Sequence, residues 1–202
     1  MTHDNQKSFI ARLSVRICAR LRALATFSAT LAVFCSCAAP QAYRIVETDA
    51  ARSLVGRATW QDWQREARWK TYMDAEYAPD TASLQQIRAA LGKGDVSFRL
   101  IAATWCSDSR EEMPRLYAVF ERCGIRADDV ELWGVNLPKT EPADIVRANA
   151  LEYVPTLVIL RKGAEIGRVV ENPAQSWERD IAEILRKNSE QEQTRRQARN
   201  EQ

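Results

Sequence analysis

A chain of 202 residues, 46% of them hydrophobic, is long enough to bury the core of one domain and leaves material over at both ends. Its net charge of +2 is too small to indicate a nucleic-acid partner. The basic residues are also badly placed for one: Lys7, Arg12, Arg16, Arg20 and Arg22 gather near the N-terminus, and Arg195, Arg196 and Arg199 lie in a polar C-terminal tail. Neither group is interleaved with aromatic side chains.

The basic flank ends at Arg22, and "ALATFSATLAVF" (23–34) follows as a run of apolar and small residues. About 12 residues cannot span a bilayer, which needs about 20. They match the h-region of a signal peptide. The next stretch, "CSCAAP", is similar to the lipobox of bacterial lipoproteins, with Ser36 in the small position before Cys37 and Phe34 as a departure three places before it. That resemblance implies removal of residues 1–36 and a lipidated Cys37 as the first mature residue. The chain is then exported, periplasmic or membrane-anchored, with ordinary secretion as the alternative. Cys18 and Cys35 leave with the signal, so Cys37, Cys106 and Cys123 remain. Two non-terminal cysteines are no disulfide scaffold, and the fold has to rest on its core.

Residues 38–58 show no sustained period and are expected to form a tether, with the folded chain starting near Tyr43. Residues 59–94 read as a helical extension. "TWQDWQREARWKTYMDAEY" (59–77) is rich in helix formers, with Trp60, Trp63 and Trp69 on part of one face as packing anchors. Ala78-Pro79-Asp80 breaks the run, and Asp80 or Thr81 caps a second helix that ends at Gly92 and Gly94.

The period then changes. "VSFRLIAAT" (96–104) predicts a buried strand running into Trp105-Cys106. Residues 109–123 carry Met113, Leu116, Tyr117 and Phe120 at helical spacing, with Glu111 and Glu112 in the first turn and Gly124 as the stop. Residues 130–137 form the next strand, and 141–151 a short helix with Pro142 in its first turn. Residues 156–170 form two strands around Lys162-Gly163, and 176–187 a last helix. The polar tail, 188–202, is expected to be disordered. This order predicts an α/β three-layer sandwich over 95–187, a central mixed β-sheet with helices on both faces, plus the N-terminal helical extension. The first crossover is expected to be parallel and right-handed.

Trp105-Cys106 between a buried strand and a helix, Pro114 eight residues later, and Val154-Pro155-Thr156 before a hairpin together resemble the thioredoxin superfamily. The likeness covers about residues 95–187. "TWCSDSREEMPRLY" is similar to a bacterial thioredoxin-like subgroup with Trp-Cys-x-Asp-Ser, whose members also carry a stretch like Tyr77-Ala78-Pro79-Asp80. The resemblance implies a thioredoxin-like fold, a cis Pro155 near Cys106, and catalytic positions at Cys106 and Ser109. It implies a substrate groove at Trp105, Val154, Pro155 and Thr156, where Val154 pairs its backbone with an incoming extended chain.

The chemistry expected at Cys106 follows from its place. A thiolate is the nucleophile of disulfide exchange, and a helix N-terminus favours it. Asp108 works against a second negative charge, and the Ser109 and Thr156 hydroxyls are expected to compensate by donating to the sulfur. Leu100 stands six residues before Cys106, where many thioredoxins keep a buried aspartate. Cys123 lies 17 residues away, about 25 Å along a helix, whereas a disulfide needs Cα atoms within about 7 Å. It reads as a buried structural thiol.

Cys106 is therefore expected to work alone, forming mixed disulfides with protein or low-molecular-weight thiols that an external thiol resolves. A non-catalytic binding module using the Val154-Pro155 groove is the alternative. Peroxidase chemistry is a weaker third reading, because Ala103 stands where peroxiredoxins keep Thr or Ser. No cofactor and no metal is expected: His3 is the only histidine, and no two cysteines share ligand spacing. The membrane enters only through the lipid anchor, and the protein is expected to be monomeric.

Overall fold

The computed structural model describes residues 42–68 and 77–201. The signal and lipobox region with Cys37, and Trp69, lie outside the described residues.

The first described elements are strands, β1 (Tyr43–Glu47) and β2 (Arg52–Ala58), paired antiparallel from Tyr43 opposite Gly56 to Glu47 opposite Arg52. This corrects the tether expected over 38–58. Leu54 and Val55 are both buried, as are Ser53 and Gly56 beside them. A strand covered on both faces shows no alternation of apolar and polar residues, so the period-2 signal is missing.

Helix α1 (Trp60–Ala67) opens on a reciprocal cap. The Asp62 N–H donates to Thr59 Oγ1 at 3.0 Å, and the Thr59 N–H donates to Asp62 Oδ2 at 3.1 Å. It stops at Arg68, whose φ of 55° is left-handed, and residues 69–76 of the run read over 59–77 lie outside the described residues. Trp63 is fully buried, and Trp60 stacks on Tyr117 with centroids 3.8 Å apart, which is the anchoring role expected of both.

Asp80 caps α2 (Thr81–Leu91) by accepting from the Ser83 N–H at 2.9 Å. The Tyr77 to Asp80 stretch is fixed from the other side by Glu178. That carboxylate accepts the Tyr77 hydroxyl at 2.7 Å and the Asp80 N–H at 3.0 Å. Burial alone would push the Glu178 carboxyl up, but these donors outweigh it and hold it below the ordinary range.

The remaining elements are β3 (Val96–Ala102), α3 (Ser107–Cys123), β4 (Val130–Gly134), α4 (Ala143–Ala148), β5 (Thr156–Arg161), β6 (Ala164–Val170) and α5 (Trp177–Asn200). The six strands form one sheet in the order β1-β2-β4-β3-β5-β6, with β3 and β4 parallel and the other neighbours antiparallel. Lys162 (φ 52°) and Gly163 (φ 79°) make the tight β5–β6 turn, both left-handed as a two-residue hairpin of this hand requires.

Alternation along β3 sorts the core into two faces. Phe98, Leu100 and Ala102 join the larger cluster with Trp63, Ile87, Met113, Phe120 and Trp177; Ile101 and Ala103 join a smaller one with Ile145, Leu151 and Val154. Helices α1, α2, α3 and α5 thus pack into one cluster and α4 into the other, giving the three-layer α/β sandwich.

Two helix ends differ from the expected ones. Helix α4 is shorter than 141–151, and Pro142 is its N-cap residue rather than part of its first turn. Helix α5 runs to Asn200 through most of the tail expected to be disordered. Its polar residues are paired along the helix, Arg186 with Glu183 at 2.8 Å and with Glu190 at 2.7 Å. The buried Arg161 guanidinium at the end of β5 also holds Asn188 at 2.6 Å.

Candidate active site

Strand β3 ends at Ala102, and α3 begins five residues later at Ser107. Cys106 is the N-cap residue of α3, extended at φ −83° and ψ 129°, and it makes no side-chain cap bond. Its carbonyl accepts the Arg110 N–H at 3.2 Å, and its own N–H donates to the Ala103 carbonyl at 3.2 Å. The sulfur therefore sits at the positive end of a 17-residue helix, beside N–H groups that have no partner in the helix. Asp108 lies in that first turn, half-buried.

The Cys106 side chain is only 8% exposed, and its Sγ donates to the Val154 carbonyl at 3.2 Å. The Val154–Pro155 bond is cis, as expected, and Cys106 meets this loop at the Val154 carbonyl. Of the Val154 backbone, which the resemblance assigns to an incoming chain, the carbonyl is engaged here by the thiol itself. Attack by the sulfur requires it to give up this partner. On the other flank the Trp105 indole N–H donates to the Val135 carbonyl at 3.2 Å, and Lys139 Nζ lies 5.9 Å from the ring centroid.

Of the two hydroxyls expected to donate to Cys106, that of Thr156 donates elsewhere and that of Ser109 accepts a backbone N–H. Ser109 is fully buried, and its Oγ accepts the Ala103 N–H at 3.2 Å. Thr156 Oγ1 donates to the Tyr153 carbonyl at 2.7 Å. Ser109 thus braces the turn before Cys106, and Thr156 braces the loop before β5. Leu100 is fully buried in the larger cluster, so this strand position supplies no acid. Cys123 ends α3 at its far end, buried, and burial pushes its thiol up to about 11. Among the described residues no group of three His, Cys, Asp or Glu could hold a metal ion.

Residues that sequence reasoning missed complete the surroundings. Tyr153, Leu137 and Val170 are the exposed large hydrophobic residues among those described, with Tyr153 at 51%. Strand directions place all three at one end of the sheet. The C-terminal ends of β3, β4 and β6 and the N-terminal end of β5 share that edge, and Leu137, Tyr153 and Val170 lie at or just beyond these ends. Cys106 follows the same end of β3. The Glu171 N–H donates to the Pro155 carbonyl at 2.7 Å, which ties the end of β6 to the proline loop. A Tyr immediately before Val154-Pro155 was the one sequence signal that pointed to this apolar rim.

A mixed sheet with this strand order, a helix opening on a cysteine after a buried strand, and a cis-proline loop against its sulfur define a thioredoxin-like α/β domain. Comparison with known proteins finds no matching family model and no matching curated protein. Among solved structures the chain is similar to Trxlp from Edwardsiella tarda, at 20% identity over 53% of this chain and 94% of that one, with a TM-score of 0.34. It is similar to a Pseudomonas aeruginosa protein of unknown function at 16% identity, over 63% and 95% of the two chains, with a TM-score of 0.33. It is also similar to human ERp44 at 19% identity, over 60% of this chain and 31% of that one, with a TM-score of 0.34.

Proposed function

We propose that this protein carries out thiol–disulfide exchange through a single cysteine, Cys106, on protein or low-molecular-weight disulfides. The observation that carries the reading is the placement of the Cys106 sulfur, at the N-terminus of α3 and 3.2 Å from the Val154 carbonyl of the cis-proline loop. The Cys106 thiol loses its proton to solvent, and the sulfur attacks one sulfur of a disulfide. A new S–S bond forms to that sulfur while the old one breaks, and the other half leaves with the electron pair as a thiolate. Ser109 has no sulfur with which to attack the adduct, and Cys123 lies at the far end of the helix, so an external thiol completes the exchange. The apolar rim of Leu137, Tyr153 and Val170 supports a partner with apolar side chains beside its disulfide. Export and a lipid anchor at Cys37 belong to the same proposal and place the exchange outside the cytoplasm, in the periplasm or at a membrane surface.

Ser109→Cys tests the reading. Positions 106 and 109 are one helical turn apart at the start of α3, within the Cα range a disulfide accepts. In wild type the mixed disulfide with a small thiol is expected to persist until external thiol is added. In Ser109→Cys the small thiol is expected to be released without it, as a 106–109 bond forms. The loss of the Ser109 bond to the Ala103 N–H makes the variant somewhat less stable. Release from the wild-type protein alone, by a Cys106–Cys123 bond, would contradict the proposal.

A further inference from the structure

We infer that the Thr104 hydroxyl is the positioning group of the reactive turn, fixing residues 103–106 to the N-terminal hairpin; this rests on the exchange role proposed for Cys106. Strand β2 pairs with β4 only from Gly56 opposite Gly134 to Ala58 opposite Leu132. Continuing that register by two and four residues would set Leu54 against Asn136 and Arg52 against Pro138. Neither can serve. The Asn136 carbonyl that the Leu54 N–H would need already accepts the Lys139 N–H at 3.0 Å, the Asn136 N–H has turned to the Glu141 carbonyl at 3.2 Å, and Pro138 has no N–H to give the Arg52 carbonyl.

Thr104 takes the vacant place in the ladder. Its Oγ1 accepts the Leu54 N–H at 3.2 Å and donates to the Arg52 carbonyl at 2.7 Å. One hydroxyl does both because it is donor and acceptor at once. Thr104 and Leu54 are both buried, so water is a poor substitute at these two backbone groups. Arg52 is itself held, its guanidinium meeting Glu47 at 2.8 Å and Glu66 at 2.7 Å and also bonding the Glu66 carbonyl of α1. A continuous path of contacts thus runs from α1 through β2 to Thr104, two residues before Cys106. Trp105, on its bond to Val135, pins the opposite flank of the same turn. The hairpin is therefore part of the apparatus that aims the sulfur.

The test compares Thr104→Val, which keeps the branched shape and loses the hydroxyl, with Thr104→Ser, which keeps the hydroxyl. Two rates are read at Cys106 in the full-length protein by peptide mapping: exchange with a peptide disulfide, which needs an aligned sulfur, and alkylation by iodoacetamide, which needs only an accessible one. Their ratio is expected to fall about tenfold in Thr104→Val and to stay within about twofold of wild type in Thr104→Ser. A role in stability alone would lower the unfolding midpoint and leave the ratio of the folded protein unchanged, and that result would overturn the inference. A tenfold loss in Thr104→Ser would also overturn it. Should Thr104→Val not fold, Thr104→Ala against Thr104→Ser reads the same ratio. If wild-type Cys106 forms no adduct at all, the proposed function fails, which is a separate outcome from an unchanged ratio on a reactive wild type.

Discussion

Replacing Cys106 by serine is expected to end disulfide exchange in the folded domain. Cys123 is the other cysteine there, and it cannot take over the role. It is buried, and with its thiol pushed up to about 11, only about one molecule in a thousand carries a thiolate there at pH 8. Site-resolved trapping with a small disulfide should show the rate falling at least about a hundredfold from Cys106 in wild type to Cys123 in Cys106→Ser. The fold should survive, since serine preserves the extended N-cap conformation of residue 106 and is a favoured residue there. Comparable trapping in the variant and in wild type would remove Cys106 from the chemistry.

The largest expected effect on stability lies behind α3. Trp177 opens α5, is 1% exposed, and its indole N–H donates to Glu112 Oε2 of α3 at 2.8 Å. The other oxygen of that buried carboxylate accepts from Arg115 at 2.7 Å. Trp177→Ala removes a large ring from the core and one of the two donors to a buried charge. A loss of about 3–5 kcal/mol in urea unfolding is expected. Trp177→Phe keeps most of the packing and should lose about 1–3 kcal/mol because Glu112 Oε2 loses its indole donor while Arg115 still holds Oε1. A loss below about 1 kcal/mol in Trp177→Ala would mean that the α3–α5 contact is not a stabilising centre.

The corner at Cys106 was legible because several signals agreed there. The chain passes at Cys106 from a continuous apolar run to helical spacing, and Val154-Pro155 precedes an obvious hairpin. Side-chain direction was not legible. The sequence shows that Ser109 and Thr156 carry hydroxyls near Cys106, but not that the Tyr153 carbonyl takes the Thr156 proton or that Ser109 accepts the Ala103 N–H. Strand β2 escaped because burial on both faces erases the period that marks a strand, and β1 because it is a five-residue edge strand with only Tyr43 buried. Thr104 escaped for a related reason. Its role depends on where β4 stops, at Gly134, and on a pairing 50 residues away in the chain. The end of α5 was misread because polar residues in a helix are held by one another and by Arg161, which composition does not reveal.

The central claim is that one thiol acts alone. Peptide mapping of the wild-type protein after brief exposure to a small disulfide at pH 8 tests it most directly. The account predicts a mixed disulfide at Cys106, unmodified Cys123, no bond joining the two, and full return of the Cys106 thiol once an external thiol is added. An unreactive Cys106, or a Cys106–Cys123 disulfide, would contradict it.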